Sequence, residues 1–135
     1  MPELHRHVVT YLEAIDAFNR SDVDAVAERV HADFVYRIPG RSVIAGEFRG
    51  VAGFIEALAR LRDESDGTIV VAPTVVLADD DNLIARARVT AERRGRHLAT
   101  ENCYALRFVD GKVADGQVFL SDPEQVEDFW GGGSP

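Results

Sequence analysis

The chain has 135 residues and a mass of 14.9 kDa, a length that makes one domain able to bury roughly two-thirds of its unfolded surface without disulfide support. Hydrophobic residues make up 46% and charged residues 28%, and no run approaches the roughly 18 apolar residues of a membrane span. A formal charge of −8 with a pI near 4.9 repels phosphate backbones and anionic surfaces, which argues against nucleic acid or membrane as a partner.

The single cysteine, Cys103, has no partner for an internal disulfide, and the segment Met1–His7 lacks the charged-then-apolar layout of a secretory signal. The expected location is therefore cytoplasmic. Only Lys112 among the 15 basic residues is lysine. The arginines are scattered from Arg6 to Arg107, so the bias reads as the codon usage of a GC-rich bacterial genome. One domain over 1–135 is expected, with 131–135 as a flexible tail.

From Val8 to Arg20 the apolar residues Val8, Tyr11, Leu12, Ile15 and Phe18 recur at helical spacing, with His7, Tyr11, Ala14 and Phe18 on one edge. Ser21 reads as the N-cap of a second helix running from Asp22 to about His31, with His31 serving its C-terminus. Phe34 to Ile38 alternates as a short strand stopped by Pro39-Gly40, and Arg41 to Gly50 reads as a loop. Val51 to Leu61 is expected as a third helix burying Phe54, Ile55 and Leu58.

The period then changes to two. Thr68 to Leu77 is a β run whose Pro73 predicts an edge position or a bulge. In Leu83 to Arg93, the residues Leu83, Ala85, Ala87, Val89 and Ala91 point one way, while Arg86, Arg88 and Glu92 point the other. Arg94-Gly95-Arg96 turns the chain into a strand from His97 to Val109. Asp110-Gly111 is a hairpin signal leading to a last strand, Lys112 to Leu120, and Glu124 to Trp130 reads as a short helix. Helices first and consecutive strands afterwards give the α+β pattern, a curved, mostly antiparallel sheet wrapped around N-terminal helices.

This order of elements, with Phe34-Val-Tyr-Arg-Ile-Pro-Gly40, Ala45-Gly-Glu-Phe-Arg-Gly50, Leu106-Arg-Phe-Val-Asp-Gly-Lys112 and Asp128-Phe-Trp130, resembles the nuclear transport factor 2-like superfamily and its SnoaL-like branch. The resemblance covers roughly Val8 to Trp130. It implies a cystatin-like cone, a homodimer, and a ligand pocket between the concave sheet and the helices. Relatives of that kind include ketosteroid isomerases, polyketide cyclases, epoxide hydrolases, dehydratases and non-catalytic domains. The isomerase positions for a tyrosine, a base aspartate and a second acid correspond to Ala14, Ile38 and Tyr104, so the proton-shuttling carboxylate is missing. The histidine and aspartate that polyketide cyclases carry on the last strand have no counterpart among Gly116, Val118 and Leu120. Nor do Arg86 and Arg88, on the outer phase of their strand, supply an epoxide hydrolase constellation.

Phase nevertheless gives a set of pocket residues. Tyr104, Tyr36 and His7 are the candidate catalytic groups. Tyr11, Ala14, Ile38, Ala87, Val89, Thr100, Asn102, Val118 and Leu120 are the candidate ligand contacts, with apolar walls and a few polar tips. The small side chains at 14, 85, 87 and 91 are expected to leave volume unfilled. Each phenol is either a core aromatic with a satisfied hydroxyl or a donor that polarises a substrate oxygen. His7 and Tyr11, four apart, are expected to point into the cone mouth. Asp16 is expected to be solvated, His97 to sit at a hairpin tip, and Cys103 to be packed on the face opposite Tyr104. No residue set has metal-ligand spacing and no glycine-rich loop follows a strand, so neither metal nor cofactor is expected.

Three functions remain open: a cofactor-independent isomerase, cyclase or dehydratase acting on an apolar ring-containing metabolite of polyketide or terpenoid type; a non-catalytic binder using the same pocket; and a dimerisation module with the cone plugged by Phe18, Phe48, Phe54 and Trp130. The outer sheet face is the expected dimer surface, and the C-terminal helix is expected to act as a latch rather than a lid.

Overall fold

The computed structural model describes residues 4–131. Four helices and six strands follow in the order α1 (Arg6–Asn19), α2 (Val23–Ala27), β1 (Val30–Ile38), β2 (Gly46–Arg49), α3 (Gly50–Glu64), β3 (Val70–Ala78), β4 (Asn82–Arg93), β5 (Arg96–Val109), β6 (Lys112–Leu120) and α4 (Pro123–Trp130). All strands form one curved sheet in the order β2-β1-β6-β5-β4-β3, antiparallel except where β1 runs parallel to β6. The tail at 132–135 lies outside the described residues. No helix among the described residues is long and apolar enough to cross a membrane.

The meander follows its sequence signals closely. Both tight hairpins carry positive φ at their two central residues, 51° and 80° at Arg94-Gly95 and 53° and 79° at Asp110-Gly111, which is the backbone twist that two-residue hairpins need. β3 is an edge strand, and its register shifts between Pro73 and Val75, so the proline marks both an edge and a bulge. On β4 the inward set is buried throughout, with Leu83, Ala85 and Ala87 at 0% exposure.

The first half departs from the sequence reading in three places. Ser21 does not cap α2. It adopts φ 65° and closes α1 in a Schellman arrangement, its N–H bonded to Phe18 O and that of Asp22 to Ala17 O, while the Asp22 side chain caps α2. The second helix ends at Ala27 rather than near His31, because the chain joins the sheet at Val30, opposite Val113 of β6. Pairing with the sheet overrides the helical spacing of the valines. His31 therefore lies on β1, where its Nδ1 accepts the Asp33 N–H at 3.1 Å. Finally, the span read as the loop 41–50 contains β2, whose Phe48 is buried beside Arg60.

Two attachments fix the helices over the concave face. At the end of α1, Asn19 pairs with Val71 of β3, donating from Nδ2 to the carbonyl at 2.8 Å and accepting the N–H at 3.0 Å. At the other end of the chain, α4 is tied down from several sides. Arg93 donates to the Trp130 carbonyl at 2.6 Å, Arg96 to that of Asp128, Gln125 to Ala99 O at 3.1 Å, and Val43 N–H to Gly131 O at 2.9 Å. Arg93 also pairs with Glu64 of α3 at 3.0 Å, which joins the hairpin tip, α3 and α4. With Val126, Phe129 and Trp130 buried, α4 has the contacts of a latch.

Candidate functional site

A cavity of about 140 Å³ lies inside the cone, bounded by α1, the start of β1, α3, the inner face of the sheet and α4. Its wall is almost wholly apolar, with Phe18, Phe34, Phe54, Leu58, Val89 and Trp130 among the contributors. All three tyrosines of the chain reach it, Tyr11 from α1, Tyr36 from β1 and Tyr104 from β5, together with Asn102. Strand alternation explains the last two, since Asn102 and Tyr104 are two apart and share a face. Directly across on β4 stand Ala87 and Ala85, and on β6 Leu120 and Val118, so small neighbours on one side leave room for the larger polar side chains.

Tyr36 is positioned by aromatic packing and by an absence of side chain. Its ring meets Phe54 edge-on at 5.3 Å, and Phe54 in turn meets Phe34 at 4.8 Å. Beneath it Gly116 lies on β6, paired with Tyr36 in register, where an added Cβ would come within 2.8 Å of the ring. The β6 position that lacks a histidine or aspartate is thus the seat of a tyrosine from the neighbouring strand.

Burial raises the pKa of all three phenols, and each feels at least one neighbouring ionisable group as well. For Tyr11 desolvation dominates and Tyr104 adds to it; for Tyr36 desolvation is followed by Tyr104 and then Tyr11. Tyr104 is pushed up to about 12 by burial, with the Asn102 side-chain amide acting in the opposite sense and Cys103 adding a smaller increase. All three are therefore protonated donors at neutral pH. The Tyr11 hydroxyl and Asn102 Oδ1 are buried and have no hydrogen-bond partner among the described residues.

Arg29 is the charged residue of the wall. It donates to Ala25 O at 2.5 Å and lies 3.6 Å from Glu13, so its guanidinium is held between α1 and α2. No carboxylate or imidazole lines the cavity among the described residues. What the walls can do chemically is donate hydrogen bonds to an oxygen in apolar surroundings; they contain no carboxylate or imidazole to accept a proton.

Of the sequence-derived candidates, the structure brings together Tyr11, Ala14, Tyr36, Ile38, Val89, Asn102, Tyr104, Val118 and Leu120. His7 does not point into the cone mouth. It is buried, stacks on Phe108 at 3.9 Å and bonds through Nε2 to Asp80 O at 2.9 Å, because the first turn of α1 packs over the β3–β4 turn. Thr100 does not line the cavity either, lying 3.5 Å from Ser121 Oγ. Ala85, Ala87 and Ala91 are buried in the core without lining the void. Cys103 is exposed rather than packed. Asp16 is exposed in a pair with Arg20, and exposed His97 faces Glu92 at 3.8 Å. Arg29 and Val30 escaped the sequence reading because helical spacing hid the start of β1, and His31-Ala32-Asp33 between Val30 and Phe34 carries no strand signal.

The family model for the SnoaL-like domain matches residues 11–116. An uncharacterized protein of Mycobacterium tuberculosis is 30% identical over 115 residues, which is 84% of this chain and 88% of that protein. Among solved structures, Bal32a from a soil-derived mobile gene cassette superposes with a TM-score of 0.89 at 31% identity, covering 93% of this chain and 97% of that one. TerC, co-crystallized with polyporic acid, superposes with a TM-score of 0.83 at 19% identity over 93% of this chain and 98% of its own. The architecture is the cystatin-like α+β cone. With most of its length matched and its cone and cavity in the expected place, this chain belongs to the SnoaL-like domain family of the nuclear transport factor 2-like superfamily.

Proposed function

We propose that this protein takes an apolar, ring-containing small molecule into the cone and polarises one of its oxygens with phenolic hydrogen bonds, as a cofactor-independent isomerase, cyclase or dehydratase. The observation that carries this reading is the convergence of all three tyrosines on one apolar cavity. A phenol that donates to a carbonyl in surroundings of low dielectric stabilises the negative charge that grows on oxygen during enolisation or intramolecular attack. Tyr104 and Tyr36 are the donors assigned to this role. A proton released from carbon passes to the substrate itself or to water, since no lining carboxylate or imidazole accepts it. That same feature favours a second reading, a non-catalytic binder with the same ligand class. A plugged dimerisation module is disfavoured, because the cavity stays open between Phe18, Phe54 and Trp130, and Phe48 lies outside its wall.

Benzaldehyde is a suitable probe, being one ring with one carbonyl, and voids of this size admit benzene-sized molecules. Its carbonyl stretch is expected to fall on binding, and Tyr104→Phe is expected to reverse much of that shift while weakening binding about three- to tenfold. Binding with an unshifted stretch would remove the polarising role and leave the binder.

The outer face of the sheet supports a homodimer as the assembled form. Leu77, Ile84 and Phe119 are exposed there, flanked by the cross-strand pair Arg86–Glu101 at 3.4 Å. Sedimentation is expected to give twice the chain mass, falling to one chain with Ile84→Lys; a monomeric native protein would sink this assembly.

A further inference from the structure

Two residues of the cavity wall each carry a buried polar atom with no hydrogen-bond partner among the described residues, the Tyr11 hydroxyl and Asn102 Oδ1. Leaving such atoms unpaired is costlier than an ordinary hydrogen bond is favourable, so native interiors seldom keep two of them in one void. Neither cross-strand neighbour of Asn102, Ala87 on one side and Leu120 on the other, has a side-chain donor to offer.

The Asn102 side chain neighbours the Tyr104 phenol, which it draws back from the full effect of burial. The Oδ1 end is left as an acceptor in the cavity wall, and an amide oxygen accepts but never donates. The phenols present the complementary chemistry, each with one O–H to give.

We propose that the occupant of this cavity carries an O–H or N–H donor close to its oxygen acceptor, a hydroxylated ring rather than a bare or fully alkylated one, and that Asn102 is the residue that selects it. The proposal rests on the reading of the cone as a small-molecule site and adds the hydrogen-bonding pattern of the ligand. A bare ring fills the apolar wall but leaves Asn102 Oδ1 unpaired. A ring ether accepts from a tyrosine and still leaves it unpaired. A ring hydroxyl does both.

Toluene, anisole and phenol separate these cases at nearly constant size, with affinities read by calorimetry or by chemical-shift titration. Water holds phenol more strongly than the other two, so a preference for phenol has to come from the site. The native protein is expected to bind phenol at least about threefold more tightly than anisole. Asn102→Leu is expected to reverse that order while keeping or improving toluene binding. Equal or weaker binding of phenol by the native protein would overturn the proposal. Persistence of the phenol preference in Asn102→Leu would overturn it as well. Should that variant not fold, the native series decides alone. Binding by none of the three probes removes the small-molecule reading together with this one. Binding of toluene and anisole without a phenol preference leaves the cavity reading standing and removes Asn102 from it.

Discussion

Trp130→Ala is expected to lower stability by about 3–5 kcal/mol, the range for deleting a large buried aromatic, and to drop the thermal midpoint by roughly 10–20 °C. The indole is 1% exposed, packs edge-on against Phe129 at 4.8 Å and lines the cavity wall. The cost of such a truncation grows with the volume that stays empty, and here the new void merges with an existing cavity of about 140 Å³. Its backbone adds a second cost, because the Trp130 carbonyl is the acceptor for buried Arg93, whose other partner is Glu64. Loosening α4 therefore puts a buried cation at risk of losing one of its two partners. Trp130→Phe keeps a ring in the site and is expected to cost less than half as much. A thermal shift of only a few degrees for Trp130→Ala would mean that α4 is a lid resting on the cone rather than a latch closing it. The same variant, where it folds, is expected to admit naphthalene as well as toluene.

The sheet was more legible in the sequence than the helical half, for reasons visible at particular residues. Strand alternation on β4 has period two against a face buried to 0% at Leu83, Ala85 and Ala87, and a slip of one residue would reverse every side chain. The two I′ turns carry their own signals, a glycine after Arg94 and another after Asp110. By contrast, Val23, Val26 and Val30 have helical spacing in a segment only partly helical, because pairing of Val30 with Val113 is made across most of the chain and leaves no mark nearby. The four residues of β2 were hidden for a related reason: a strand that short, between glycines, has too few alternations to read.

Legibility of the site divides along the same line. Asn102 and Tyr104 follow from phase alone, as does Tyr36, and the structure seats all three at the cavity. His7 follows the same helical arithmetic as Tyr11, yet its ring stacks on Phe108 and bonds to Asp80 O. Helical phase gives direction around an axis but not position along it, and His7 lies a full turn closer than Tyr11 to the β3–β4 end of the cone. The role of Gly116 was likewise invisible as an absence. Its value is the space that the Tyr36 ring occupies, a contact between strands far apart in sequence.

Alkaline pH is expected to unfold this protein abruptly, with its three tyrosines ionising together rather than one by one. Each phenol has a folded-state pKa above its ordinary value of 10.0 because burial disfavours the charged form, Tyr104 reaching about 12. A group whose folded pKa is raised contributes its full stability below the unfolded pKa and loses it as pH climbs through the folded one. The relevant window therefore opens near pH 10 and lies wholly on the alkaline side. Within it each phenol removes at most about 1.4 kcal/mol of stability per pH unit, so three acting together remove up to about 4 kcal/mol per unit and several kcal/mol across the window. That is comparable to the stability of an ordinary domain, roughly 5–15 kcal/mol, and places unfolding inside the window. Tyrosinate absorbance near 295 nm and far-UV circular dichroism are expected to change at the same pH, and Tyr104→Phe is expected to reduce the pH slope of stability by about a third. Tyrosinate absorbance rising well before the loss of secondary structure would instead mean that water reaches the phenols in the folded cone. The closed cone with its protonated phenol donors would then be wrong, since the same desolvation that holds these phenols protonated is what makes their hydrogen bonds strong.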